Sequence, residues 1–138
     1  MNFYGQDILL DKNLRPLVAA NGELYLTSGN YAVVQDVILR LRTVLGNLFY
    51  DKEFGSELFS FLKSENIYEI KKQMKSEVLK TIRKDIRIDQ ASVVCIIKSS
   101  DNETVELEAS FSIIDGSNVY NLVINIGQND INVFVRDL

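Results

Sequence analysis

The 138-residue chain, 46% hydrophobic, has the size and composition of one domain able to hide roughly two-thirds of its unfolded surface, which excludes a wholly disordered protein. It has no histidine and a single cysteine, so it lacks the commonest general base near neutral pH, a zinc site of cysteine and histidine ligands, and an internal disulfide. The net charge of −4 is uneven: residues 99–138 carry seven acids against Arg136, which makes that end a poor surface for nucleic acid and leaves it either solvated or facing a basic partner.

In chain order, residues 7–27 read as short extended pieces around a hairpin signal, Asn21-Gly22, where both residues tolerate positive φ. Ser28-Gly29-Asn30 supplies capping residues for a helix over about residues 31–45. There Val34, Val37, Ile38, Leu41 and Leu45 recur at spacings of three and four, and Gly46 fits the stop. Ser56 is placed to cap a short helix through Leu62 that turns Leu58, Phe59 and Leu62 inward. A long helix over about 67–84 follows, with Ile67, Ile70, Met74, Val78 and Ile82 as its stripe. Lys71, Lys72, Lys75, Lys80, Arg83 and Lys84 crowd its remaining surface, read as solvated or as facing an acidic neighbour.

From Ala91 the period changes from 3.6 to 2. Residues 92–98 are nearly continuously apolar, as expected of a strand covered on both faces, with Cys95 as a buried small hydrophobe. Val105, Leu107, Ala109, Phe111 and Ile113 alternate with polar residues, and Tyr120, Leu122, Ile124 and Ile126 continue the inward face after the turn Asp115-Gly116-Ser117-Asn118. Gly127-Gln128-Asn129-Asp130 turns again into a terminal strand, Ile131–Val135. The whole, residues 1–138, reads as one α+β domain: two main helices packed on a C-terminal antiparallel sheet, after short N-terminal extended segments. No apolar run approaches a membrane span of roughly 18 residues, and Met1–Asp7 lacks a secretory leader's pattern, so cytoplasmic synthesis is expected.

Chemistry is sparse. No phosphate-binding glycine loop is present, and no cofactor is implied. Carboxylate pairs are the remaining catalytic option, and Asp51, Glu53 and Glu57 cluster, so a lysozyme-like peptidoglycan hydrolase is the enzymatic alternative. Nineteen acids in the chain would produce such a trio by chance, and a non-enzymatic role is expected.

One ordered series of short motifs is more specific. Asn21-Gly22-Glu23-Leu24 and Ser28-Gly29-Asn30 precede Gln35-Asp36-Val37-Ile38-Leu39-Arg40-Leu41-Arg42-Thr43-Val44-Leu45-Gly46. Phe54-Gly55-Ser56-Glu57-Leu58 and, after the long helix, Asp85-Ile86-Arg87-Ile88 complete it. The series resembles the baseplate wedge and sheath-initiator family of contractile phage tails, over about residues 5–98 by motif. Where that family has Glu-Pro-Arg, this chain has Asp85-Ile86-Arg87, keeping charge and spacing but losing proline's fixed φ.

The resemblance implies a structural wedge subunit, present in six copies, that links the wedge core to the sheath of a phage tail, bacteriocin or injection particle. Its partners would be other wedge subunits, the tail sheath protein and tube or hub proteins, with no nucleic acid and no membrane. By carry-over, Arg87 would hydrogen-bond the helical bundle of the larger wedge subunits, with Asp85 orienting it or receiving a partner cation. The alternative is an Arg87 that meets the helix dipole beside an exposed Asp85. The resemblance further implies that the strands around 119–126 and 131–135 offer an open edge to the sheath, with Ile131, Val133 and Val135 as contact residues. A regulatory anti-adaptor module is the remaining alternative, since the same fold family includes one.

Overall fold

The computed structural model describes residues 6–8, 26–28, 30–62, 67–101, 103–114, 116 and 118–136. Strands β1 (Gln6–Ile8) and β2 (Leu26–Ser28) pair antiparallel, with Asp7 opposite Thr27. Helices α1 (Asn30–Arg42) and α2 (Tyr68–Arg83) follow. Then come β3 (Val94–Ser100), β4 (Val105–Ser112), β5 (Val119–Ile126) and β6 (Ile131–Val135), which form one antiparallel sheet in the order β3-β4-β5-β6. The arrangement is the expected α+β one. Asn21-Gly22, Gly29, Asp115 and Ser117 lie outside the described residues.

The stripe of α1 is buried at Val34, Val37 and Leu41, joined by Ala32 and Val33, with Ile38 half-buried against the core. Leu45 falls beyond it, because α1 stops at Arg42 and the chain straightens to meet the segment around Ser56. Leu45 N donates to Ser56 O at 3.0 Å, and Ser56 N donates to Thr43 O at 2.8 Å. This approach requires glycine at position 55, where φ is +122° and an added Cβ would lie 2.7 Å from Thr43 O. Gly46, expected to end the helix, instead sits at φ +83° in the following turn.

Ser56 is fully buried; its Oγ donates to Leu41 O at 2.9 Å and accepts from Leu58 N at 3.4 Å. The short helix it leads into is a 3-10 turn, Leu58–Phe61, with Leu58 buried and Phe59 and Leu62 packed against the core. In α2, Met74, Val78 and Ile82 are buried and Ile70 half-buried, whereas Ile67 caps the helix and is exposed. The inward face also carries Glu77 and Thr81, an i, i+4 pair in which Thr81 Oγ1 donates to Glu77 Oε1 at 3.4 Å.

α2 lies against β3 and β4, and α1 against α2 and β6. The inner sheet face is the expected one: Val105, Leu107, Ala109 and Phe111 of β4, Leu122, Ile124 and Ile126 of β5, and Ile131 and Val133 of β6 are buried. Each fully buried leucine, isoleucine or phenylalanine contributes about 1.5–3 kcal/mol of transfer free energy, which makes this layer the main source of stability.

Two expectations about the strands are corrected. β3 is covered on one face only: Cys95 is 2% exposed, but Val94 and Ile96 on the other face are 52% and 45% exposed. The apolar run marks an outer strand with a mixed outward face. β5 is not an edge, since it pairs with β4 along Val119–Ile126 and with β6 along Leu122–Ile126. Cys95 behaves as a buried hydrophobe; burial pushes its thiol up to about 11, with Lys75 pulling weakly the other way, so little reactive thiolate forms near neutral pH.

Candidate functional site

Immediately after α2 the chain turns through Asp85-Ile86-Arg87. Asp85 Oδ1 accepts from Arg87 N and from Arg87 Nε, both at 2.9 Å, and its Oδ2 accepts from Arg87 Nη2 at 2.6 Å. The contact from Asp85 to the backbone N–H two residues on is an Asx-type turn, which shapes the corner without a proline. The same Arg87 Nη2 donates to Asp36 Oδ2 of α1, 51 residues away, at 2.8 Å, so two carboxylates from distant parts of the chain share one guanidinium.

Asp85 is 6% exposed, which corrects the reading of an exposed carboxylate beside a dipole-bound arginine. Burial alone would raise its pKa, but the hydrogen bonds and charge of Arg87, with a contribution from Arg40, hold the carboxyl below its ordinary value. The hydrogen bond to Asp85 leads in raising Arg87 further above its already high value, so the cation is permanent. Ile86 is 80% exposed at the tip of the corner.

The corner is anchored to the sheet. Ile114 N donates to Arg87 O at 2.9 Å, Asp89 N donates to Ser112 O at 3.0 Å, and Ile88 bridges Ile113. Residues 87–89 therefore extend the β3 side of β4, upstream of β3 itself.

β6 ends the sheet on the other side. Its register alternates hydrogen-bonded and non-hydrogen-bonded pairs with β5, and two bonds set the phase. Gly127 N donates to Asp130 O at 3.0 Å, and Arg136 N donates to Asn121 O at 2.9 Å. Counting inward from either bond makes Ile126–Ile131, Ile124–Val133 and Leu122–Val135 the non-hydrogen-bonded pairs. The N–H and C=O groups of Ile131, Val133 and Val135 thus point away from β5, towards the open edge. Their side chains differ: Ile131 and Val133 are buried, and Val135 is 38% exposed. Among the described residues no strand pairs with that edge.

The acids that suggested catalysis are not gathered in an enclosed site. Asp51, Glu53 and Glu57 are all exposed, and Asp51 Oδ1 accepts from Glu53 N at 3.2 Å in a local turn. The buried acid nearby is Glu77, whose Oε1 accepts from Glu57 N at 2.9 Å and so ties the 3-10 turn to α2. Among the described residues no three histidine, cysteine, aspartate or glutamate side chains could hold a metal ion, and no helix is long and apolar enough to cross a membrane.

Sequence reasoning missed Asp36 and Glu77. Glu77 had a signal: at i+3 from Met74 it falls on the inward face of the α2 stripe. Asp36 had none, because its partner lies 51 residues away.

A charged corner at one side of a two-helix, four-stranded unit and an edge strand at the other invite comparison with known proteins. The family model described as the contractile injection system sheath initiator matches residues 6–117. The chain belongs to the sheath-initiator family. No curated protein matches it significantly. Membership gives a structural, sheath-initiating role in a contractile injection system, as part of the tail particle and in contact with sheath and other baseplate components.

Proposed function

We propose that this sheath initiator is a baseplate wedge subunit, one domain present in six copies per particle, that joins the wedge core to the sheath and templates the first sheath ring by strand pairing. The observation that carries the reading is the uninterrupted β6 edge, where Ile131, Val133 and Val135 offer main-chain donors and acceptors to an incoming strand. Such an edge binds an extended segment through its backbone, and the alternation of side chains sets the register.

In this reading the Asp85–Arg87 corner faces the wedge core, with contacts to tube or hub proteins secondary. Asp85 is a positioning residue that holds the guanidinium, and Ile86 supplies apolar contact at the tip. The chain is made in the cytoplasm and acts without catalysis: Asp51, Glu53 and Glu57 are exposed, and the buried acids Glu77 and Asp85 are engaged by Glu57 N and by Arg87.

Val135→Pro is the direct test, because the N–H it removes points to the open edge and supports no ladder bond to β5. Particles assembled without this chain would receive wild type or variant, and sheathed tails would be counted by electron microscopy. The expected result is a folded variant that enters baseplates and fails to start a sheath. Normal sheath formation by the variant would remove strand pairing at β6 from the proposal. Loss of cell-wall turbidity caused by the purified wild type, and abolished in Asp51→Asn, Glu53→Gln or Glu57→Gln, would instead restore the enzymatic reading.

A further inference from the structure

Beside the charged corner, Arg40 lacks a hydrogen-bonding partner. It lies one helical turn after Asp36 on α1, the i, i+4 spacing at which a carboxylate and a guanidinium ordinarily meet. Asp36 Oδ2 instead accepts from Arg87, as do both oxygens of Asp85, so both acids of the corner are engaged elsewhere. Among the described residues the Arg40 side chain makes no hydrogen bond and no ion pair, and its Nε is buried without an acceptor. The guanidinium carbon stands 5.1 Å from the centre of the Phe54 ring, which holds the group without matching its donors. Buried donors are matched in nearly every native fold, so an unmatched one on a charged group calls for an acceptor from outside the chain.

Arg40, the loop from Leu45 to Phe54, and Lys84 just beyond α2 line a cleft of about 530 Å³. Lys52 and Lys84 are its other cations. Lys52 Nζ reaches Gly46 O at 3.4 Å, Lys84 Nζ reaches Glu53 O at 3.3 Å, and neither forms an ion pair. Asp51 and Glu53 also line the cleft, but both are exposed and pair with none of the three, and Asp51 Oδ1 is used by Glu53 N. Three cations against two acids leave one positive charge. That matches a single carboxylate, whereas a phosphate backbone or a run of acids would also meet Asp51 and Glu53. On the same loop Phe49 and Tyr50, 85% and 73% exposed, stand edge to face 5.3 Å apart. Aromatics presented in this way anchor protein interfaces and have nothing to offer a free anion.

Resting on the reading that the Asp85–Arg87 corner faces the wedge core, we infer that the cleft beside it takes one carboxylate side chain of a wedge protein, with Arg40 as the main donor and with Phe49 and Tyr50 covering the apolar residues that flank that acid. Arg40 is the cation with donors to give, because the Arg87 fork is shared between Asp85 and Asp36. Lys52 and Lys84 exchange their long bonds to carbonyls for the incoming charge. The cleft is continuous with the corner, since Lys84 directly precedes Asp85 and Arg40 shares α1 with Asp36.

The test measures binding of the full chain to each purified wedge and sheath protein of the same particle by titration calorimetry. A wedge protein is expected to bind wild type, and Arg40→Met, which keeps the stem but no donor, to lose about tenfold or more in affinity. Arg40→Lys should recover part of the loss, and Lys72→Met, outside the cleft, should change nothing. In a scan of the partner, one Glu→Gln or Asp→Asn exchange should reproduce the loss and add nothing to it when combined with Arg40→Met. Phe49→Ala/Tyr50→Ala should also weaken binding; unchanged affinity would remove the aromatics from the inference. Circular dichroism establishes folding, and if Arg40→Met does not fold, Lys52→Met/Lys84→Met decides, its unchanged affinity overturning the inference. A folded Arg40→Met that binds as wild type does would overturn it and leave the wedge reading in place. So would a loss that no single acid of the partner reproduces, or Arg40-dependent binding to the sheath protein alone. Wild type that binds no wedge protein would sink this inference and the wedge reading together, while Val135→Pro tests sheath templating separately.

Discussion

β3 and β6 both end the four-stranded sheet, yet the ladder along β3 shifts register between Ile97 and Ser99, whereas β6 pairs with β5 without interruption from Ile131 to Val135. The β3 side carries further obstructions. Lys98 sits at the irregularity and reaches Glu108, Lys71 of α2 crosses to Ser100 Oγ, and the Asp85–Arg87 corner occupies the stretch upstream. Bulges and lysines are common devices for keeping a strand edge from unwanted pairing. Their concentration on one side, and the plain ladder on the other, indicate that openness in this sheet is selective. Among the described residues, β3 is the obstructed edge and β6 the unobstructed one.

The largest effect is expected where the β3 side is locked. Arg87→Ala would leave Asp85 buried without its cation, and breaking a largely buried pair of this kind costs about 3 kcal/mol, readable by urea denaturation. Arg87→Lys would recover part of the loss, since an ammonium cannot make the same fork of bonds.

The corner also predicts acid sensitivity. Asp85 has its pKa lowered from 3.8, so its contribution is fully present above that value and is lost as pH falls through the folded-state pKa. Asp85→Asn should therefore flatten the fall in stability below about pH 4.

Next in size is the contrast between the edges. Val135→Pro should lower sheath initiation by at least about tenfold, equivalent to about 1.4 kcal/mol of lost pairing. Ser100→Pro is the matched control on β3. Asp101 N donates to Thr104 O, and Ser100, opposite Val105, is the next, outward-pointing residue. It should leave initiation near wild type. Equal loss in both variants would abolish the distinction between the edges.

Deleting Lys98 would sharpen the comparison, because Ile97 and Ser99 would then pair with Leu107 and Glu106 in an unbroken ladder. A larger self-associated fraction than wild type is expected in sedimentation velocity, at a cost in stability of about 1 kcal/mol. The smallest effect belongs to Glu108→Gln, which removes the negative charge shared by Lys98 and Arg136. At these exposed cations the loss should be under about 1 kcal/mol and fade with added salt.

Much of the fold was legible because local periodicity reports a local choice of face. Val34, Val37 and Leu41, Met74, Val78 and Ile82, and the alternation from Val105 to Ile113 all mark inward faces that the folded chain buries. The same periodicity misread residues 92–98, since a continuous apolar run does not say whether a second layer covers it; here Val94 and Ile96 face outward. It also could not rank the strands: β5 and β6 carry similar patterns, and only the pairing partners make one central and the other an edge. The family motif drew notice to Asp85 and Arg87, but not to Asp36, the carboxylate that completes their cluster.

By itself, then, the order of residues determined the helices, the inward side of each strand, the burial of Cys95 and the want of histidine chemistry, because these depend on spacing or on composition. Tertiary structure alone decided which strands became the edges of the sheet and which carboxylates met Arg87. Each depends on hydrogen bonds or charges brought together from distant parts of the chain, and no local period encodes such a meeting.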